Sequence, residues 1–185
     1  WNIFKKNKVA MVCLFIVILL CLIALFAPLI APYDPNKQVL TDRLMKPCGQ
    51  HWFGTDDLGR DIFSRIIYGC RVSLSVGIIS QIIATVIGYT MGVCAGYYGG
   101  KVDSVISFLI QVSSFPFLLF AMAIMFVLGP GLINLYLALG LLGWASTARL
   151  IRGDVMRLKK MEYIDACKVS GGNSFRIIMK HLLPN

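Results

Sequence analysis

Long uncharged stretches alternate with short charged ones along this chain, and the spacing of the charges is the first guide to its elements. Residues 9–31 carry no charged or strongly polar side chain. At about 1.5 Å of rise per residue, a helix over such a run crosses a hydrocarbon core of about 30 Å. Residues 72–100 are again uncharged, with Ser73, Ser75, Ser80, Gln81, Thr85 and Thr90 scattered through them. A third uncharged stretch, 104–148, is divided by Gly129, Pro130 and Gly131, residue types that do not favour continuing a helix. The pattern predicts four membrane spans, at 9–31, within 72–100, near 105–128 and near 132–147. The fourth is close to the short limit for crossing, which leaves a tilted or partly buried helix open.

A signal peptide is the competing reading of the start, because Lys5, Lys6 and Lys8 precede the apolar run. That run is too long for a signal core, and the stretch from Ala27 and Pro28 to Pro32 offers no persuasive cleavage site, so a retained span is expected. Basic residues in short loops stay cytoplasmic. The lysine cluster therefore places residues 1–8 inside and the 32–71 loop outside. Spans two to four then occupy 72–148, and a cytoplasmic segment follows at 149–185. In that segment Arg149, Arg152, Arg157, Lys159, Lys160, Lys168, Arg176 and Lys180 outnumber Asp154, Glu162 and Asp165. The expected fold class is an all-α integral membrane protein.

Composition agrees, since 57% of the residues are hydrophobic. The formal charge of +9 needs no nucleic acid, because much of the excess adjoins membrane spans, where anionic lipid and an acidic partner surface are the natural neighbours. Cys13, Cys21, Cys48, Cys70, Cys94 and Cys167 form no CxxC pair and have no histidine cluster near them, which argues against a metal or dithiol site. Cys48 and Cys70 share the outer loop; a disulfide and two free thiols both remain open.

In the second span Ser80, Ala84, Gly88, Gly92 and Gly96 recur every four positions and so form one stripe on a helix. In lipid, helices associate largely by close backbone approach over small residues, so another helix is expected there, with a pathway-lining role as the alternative. Pro116, after Ser113, Ser114 and Phe115, is expected to kink span three. None of the expected spans holds Asp, Glu, Lys or Arg, which weakens an ion-coupled transporter reading. The string GxxxxGK[ST] is absent from the sequence, so any nucleotide chemistry must reside on partners.

Two segments carry the functional signal. Residues 161–170 read as one short helix, Gly171 and Gly172 interrupt it, and Asn173 or Ser174 can cap a second that ends before Pro184. Phe175, Ile178, Met179 and Leu182 fall at i, i+3, i+4 and i+7, one apolar face suited either to a partner's groove or to lipid headgroups. The second segment is the outer-loop string His51, Trp52, Phe53, Gly54, Thr55, Asp56, Asp57, Leu58, Gly59, Arg60 and Asp61, continuing through Ser64, Arg65, Tyr68, Gly69 and Arg71. It has the makings of a braced turn: glycines for tight backbone, Thr55, Asp56 and Asp57 to bond nearby amides, Arg60 and Arg65 to answer the carboxylates. Adjacent carboxylates beside two arginines form a structural network more often than a metal or hydrolytic site.

The spacing of Asp165, Ala166 and Cys167, then Gly171, then Leu183 and Pro184 resembles the EAA loop of bacterial ABC-importer permeases. There the pattern runs Glu-Ala-Ala, three residues, Gly, nine residues, Ile, one residue, Leu-Pro. Here Asp165 is one methylene shorter than glutamate, Cys167 replaces the second alanine and His181 stands in place of isoleucine. With the GTDxxGRDxxSR string of Gly54, Thr55, Asp56, Gly59, Arg60, Asp61 and Arg65, the chain resembles the permeases that import dipeptides, oligopeptides and nickel, in the type with an extra N-terminal span. The resemblance implies a type I importer transmembrane domain with four of an expected six spans, a C-terminally truncated part of the whole. It implies a bacterial inner-membrane location, a homologous second permease, two P-loop ATPase subunits and an extracytoplasmic solute-binding protein. No catalytic residue and no cofactor belong to this chain on that reading; ATP and Mg sit on the ATPases. Glu162, Asp165, Ala166, Cys167, Gly171, Phe175, Leu183 and Pro184 become candidates for ATPase coupling. Peptide or nickel cargo stays open, with an ion-coupled transporter or a membrane scaffold as further alternatives.

Overall fold

The computed structural model describes residues 7–112 and 116–182, so Lys5, Lys6, the Ser113 to Phe115 stretch, Leu183 and Pro184 lie outside the described residues. Among the described residues every regular element is helical, with one isolated antiparallel bridge between Thr55 and Asp61. Helix α1, Lys8–Leu25, begins where the Asn7 side chain accepts the Ala10 N–H at 3.2 Å. It stops at Phe26, and a single further turn, α2 (Ala27–Ile30), carries Pro28 where the missing N–H does no harm. The first apolar run is thus a helix plus a broken turn.

Helix α3, Ile62–Tyr98, has 37 residues and starts well before the uncharged stretch, because Asp61 caps it inside the 32–71 loop. Gly99 and Gly100 follow at φ +68° and +52°. Helices α4 (Gly100–Val112) and α5 (Phe117–Leu128) lie at 90° to each other, and Pro116 opens α5. Gly129 ends α5, and Asn134 donates its amide to the Leu128 and Gly129 carbonyls at 2.8 and 3.1 Å. Helix α6, Leu132–Leu158, runs 27 residues without a break through position 147. The first charge after the apolar run does not end the helix, since nothing at Arg149 opposes helical backbone. Then come α7 (Glu162–Val169), α8 (Ser174–Ile177) and a wider π-helical turn over Ile178–Leu182.

Helices α1 and α3 are each long and apolar enough to cross a membrane, and α4 with α5 meet that standard as a bent pair. The chain divides into two compact units, Trp1–Gly77 and Ile78–Asn185. In the second, Ala95, Ile106, Ile110, Ala145 and Ala148 make a buried cluster joining α3, α4 and α6. Small residues let the backbones touch. A Cβ added to Gly88 would lie 2.6 Å from the Trp144 carbonyl oxygen, one on Gly92 2.7 Å from that of Ala148, and one on Gly96 2.9 Å from that of Arg152. Ala84 continues the stripe, buried opposite Gly143.

Candidate functional site

After α6 the chain doubles back as a helix, turn and helix laid on the ends of α3 and α6. Ile164, Ile177 and Leu182 are buried against Val93 of α3 and Val155 of α6. Helix α7 ends in a two-bond closure: Gly171 N–H donates to the Lys168 carbonyl at 3.0 Å and Gly172 N–H to the Cys167 carbonyl at 2.9 Å. This closure needs left-handed backbone, which Gly171 supplies at φ +79°. Gly172 serves by size instead, since a Cβ there would sit 2.7 Å from both the oxygen and the sulfur of Cys167. Glu162 and Asp165 occupy the first turn of α7, where the helix dipole favours negative charge. Asp165 is 65% exposed and accepts from Lys168 Nζ at 2.7 Å. Ala166 is exposed and Cys167 half-buried. The expected single apolar face divides: Phe175 (70% exposed) and Met179 point away, Ile178 is half-buried, and Leu182 is buried. Ile177, outside the expected face, is buried instead, because the π-helical turn beginning at Ile178 shifts which side chains share a side. Leu183 and Pro184 fall outside the described residues.

The 32–71 loop closes on two aspartates. Asp61 caps α3 by accepting the Ser64 N–H at 2.8 Å on one oxygen, while the other lies 2.9 Å from Nδ1 of the buried His51. The His51 ring stacks on Tyr33 with 4.8 Å between centroids, and the buried Ser64 hydroxyl accepts the Tyr33 N–H at 3.2 Å. Thr55 accepts the Met45 N–H at 2.9 Å and donates to the Asp42 carbonyl. Asp56 accepts amides from Leu58 and Arg60 at 2.9 and 3.0 Å, Arg60 Nε at 2.8 Å and a guanidinium nitrogen of Arg65. Gly59, at φ +71°, allows no side chain, since its Cβ would lie 1.8 Å from the Val39 carbonyl oxygen. Asp57 is exposed, apart from this network. Trp52 and Phe53 are also exposed and pack on Phe63 at 5.0 and 5.5 Å between ring centroids.

Desolvation pushes the Asp56 carboxyl up, but the Arg60 and Leu58 amides and the Arg60 guanidinium outweigh it and hold the group at about 2, against an ordinary 3.8. Burial likewise raises Asp61, and the Ser64 amide and His51 more than reverse it. Both groups therefore contribute stability that is present above their ordinary carboxylate range. For Asp56 it is lost as pH falls from 3.8 through about 2. In an acid titration followed by Trp52 fluorescence, the loop is expected to hold from neutral pH to about pH 4 and to loosen below it. Asp56→Asn is expected to remove part of that acid dependence; an unaltered profile would refute the assignment.

A family model described as the N-terminal TM domain of oligopeptide transport permease C matches residues 1–47. A second, the binding-protein-dependent transport system inner membrane component, matches 84–185, more than half of the chain. The chain belongs to the binding-protein-dependent transport permeases. Among curated relatives of this permease, the dipeptide transport system permease protein DppC of Bacillus subtilis is 44% identical over all of the chain and 58% of its own length. The oligopeptide transport system permease protein OppC of the same organism is 38% identical over 98% of the chain and 60% of its length. The glutathione transport system permease protein GsiD of Pectobacterium atrosepticum is 39% identical over all of the chain and 62% of its length. The permease sequence thus spans about three fifths of the length of the curated relatives it matches.

The second match takes in the glycine stripe and the whole of the α7 to α8 segment, whereas the outer-loop string lies between the two matched stretches. In the permease, Asp56, Arg60 and Arg65 meet in one network, and Gly54, Thr55, Gly59 and Asp61 shape the turn around it. Cys48 and Cys70 are both free thiols. Among the described residues no three His, Cys, Asp or Glu side chains gather as a metal site. Three contacts are not written in the sequence pattern: that of His51 with Asp61 beneath the loop, that of Lys159, whose Nζ donates to the Tyr97 carbonyl at 2.5 Å, and the ion pair of Asp103 with Arg152. Only opposite charge in sequence hints at the last, since 49 residues separate its members.

Proposed function

We propose that this chain is part of a permease subunit of an ATP-driven importer of peptides, coupled through the α7–turn–α8 segment to a cytoplasmic ATPase. The observation that carries the reading is the way this segment is seated. Its buried side chains fasten it to the ends of α3 and α6, while Asp165, Phe175, Met179 and the 90%-exposed Val169 face outward. Apolar anchors ringed by charge, on a support that cannot move independently of two long helices, suit a partner's groove. The peptide class rests on the names of the relatives, which specify dipeptide, oligopeptide and glutathione transport.

On this reading the N-terminus and the segment after α6 lie in the cytoplasm, and the 32–71 loop lies outside, as the bias of Lys and Arg supports. The partners are a homologous second permease, two P-loop ATPases that hold ATP and Mg, and an extracytoplasmic solute-binding protein. The outer loop from Gly54 to Asp61 helps to shape the outer gate or meets the binding protein. Purification of the full-length parent protein in mild detergent is expected to bring stoichiometric P-loop ATPases with it. Gly171→Val should release them, because a β-branched residue resists the φ of +79° that sets the turn. A homogeneous preparation without an ATPase would overturn the reading.

A further inference from the structure

The end of α6 grips more than α7. Arg152 reaches Asp103, in the first turn of α4, side-on: Nη2 lies 2.8 Å from Oδ2, and Nε donates to Oδ1. Ser107, one turn on, donates to the same carboxylate at 3.3 Å. Two parallel charge-assisted bonds from a planar guanidinium fix direction as well as distance, so the pair cannot swivel without breaking. One turn beyond Arg152, Val155 shares a buried cluster with Ile164 of α7, and Lys159 holds the end of α3 through the Tyr97 carbonyl.

The connection from α3 to α4 is held to α4 by one backbone bond, from the Asp103 N–H to the Gly99 carbonyl at 3.2 Å, and by no side chain of its own. It consists of Gly99 and Gly100, and an added Cβ at either would meet nothing within 4 Å. The start of α4 is therefore positioned by the ion pair and by Ile106 and Ile110, which lie against the small residues Ala95, Ala145 and Ala148. Alanine faces permit sliding, whereas a bidentate pair does not.

We propose that the Asp103–Arg152 pair is the joint through which displacement of the α7–α8 segment is passed to α4 and so to the bent α4–α5 pair. It is a positioning pair that touches neither nucleotide nor cargo. The proposal rests on the importer reading above. A displaced α7 drags the last turns of α6 through the cluster that Ile164, Ile177 and Leu182 form with Val155, and Arg152 pulls Asp103 with them. Without the pair, the same displacement would be taken up by slip along the alanine faces and by rotation in the Gly99–Gly100 turn.

The test uses the full-length permease in its assembled complex, with the native cysteines replaced by alanine and a spin label attached at the exposed position 105 through Val105→Cys. ATP with vanadate is expected to change the label's spectrum in the otherwise unaltered complex. In Asp103→Asn and Arg152→Gln that change should be lost, or reduced roughly fivefold or more, while ATP hydrolysis stays within about twofold. The double exchange Asp103→Arg with Arg152→Asp should restore it. The same spectral change in either single variant overturns the proposal, as does a label that never responds to nucleotide in a complex that hydrolyses ATP. Failure of the single variants to assemble leaves the decision to the double exchange: a restored response supports the joint, and an assembled complex without one refutes it. A complex with no ATPase at all would instead sink the importer reading.

Discussion

Gly92→Leu is expected to remove folded protein from the membrane. The Cβ alone would stand 2.7 Å from the Ala148 carbonyl oxygen and 2.9 Å from Ile151 Cβ, and neither a helix backbone nor a β-branched carbon can step aside. Rotation of α3 offers no escape, since Gly88 and Gly96 press equally close to α6 one turn away on either side. The only relief is to part the two helices, which forfeits van der Waals contact along the whole stripe. In lipid that contact is a main source of association, because apolar side chains gain little by leaving one apolar environment for another. Overpacking by a methyl or methylene costs about 1–3 kcal/mol even in adaptable cores, so Gly92→Ala should already lower the unfolding midpoint in detergent. The leucine variant should elute as aggregate. Gly77→Ala is the control: its Cβ meets nothing within 4 Å, and alanine favours helix, so stability should be unchanged or slightly raised. A Gly92→Leu protein with the normal midpoint would show that the α3–α6 contact does not hold the fold.

Asp165→Lys is expected to abolish uptake while leaving insertion and folding intact. The folded chain has little invested in this carboxylate. It is 65% exposed, and its partner Lys168 lies one turn along the same helix, a kind of pair worth about 0–1 kcal/mol. Reversal would also cost part of the dipole interaction at the α7 N-terminus, a few tenths of a kcal/mol at such exposure. A large loss of transport from so small a structural change must come from a surface that Asp165 meets in the complex. Parallel measurement of peptide uptake and of co-purified ATPase separates the possibilities, with Glu162→Lys as the companion variant one turn earlier. Unchanged uptake in both would remove the docking assignment.

Much of this architecture can be read before any coordinates, for reasons that differ from residue to residue. The stripe of Ala84, Gly88, Gly92 and Gly96 is legible because a four-residue repeat of small side chains falls on one side of a helix, and here it faces α6 rather than lining an open path. Gly171 is legible because a glycine between two helical patterns marks left-handed backbone, and its φ is +79°. The burial of Ile177 in place of Phe175 and Met179 is not legible, since the i, i+3, i+4, i+7 template presumes a uniform pitch that the wider turn over Ile178–Leu182 abandons. The continuation of α6 to Leu158 is not legible, because charged side chains say nothing of backbone conformation. His51 and the Asp103–Arg152 pair depend on chain closure over 10 and 49 residues, and no local pattern encodes such encounters.

The two glycines between α3 and α4 have a use beyond geometry. A side chain added at Gly99 or Gly100 would meet nothing within 4 Å, so there is room beside this turn for extra residues, at the cost of the bond from the Asp103 N–H to the Gly99 carbonyl. Loop closure grows costlier by only about 0.6 kcal/mol for each doubling of length. An epitope or a small fluorescent peptide spliced between them would report which face of the membrane this turn occupies, in a permease whose helices keep their own registers.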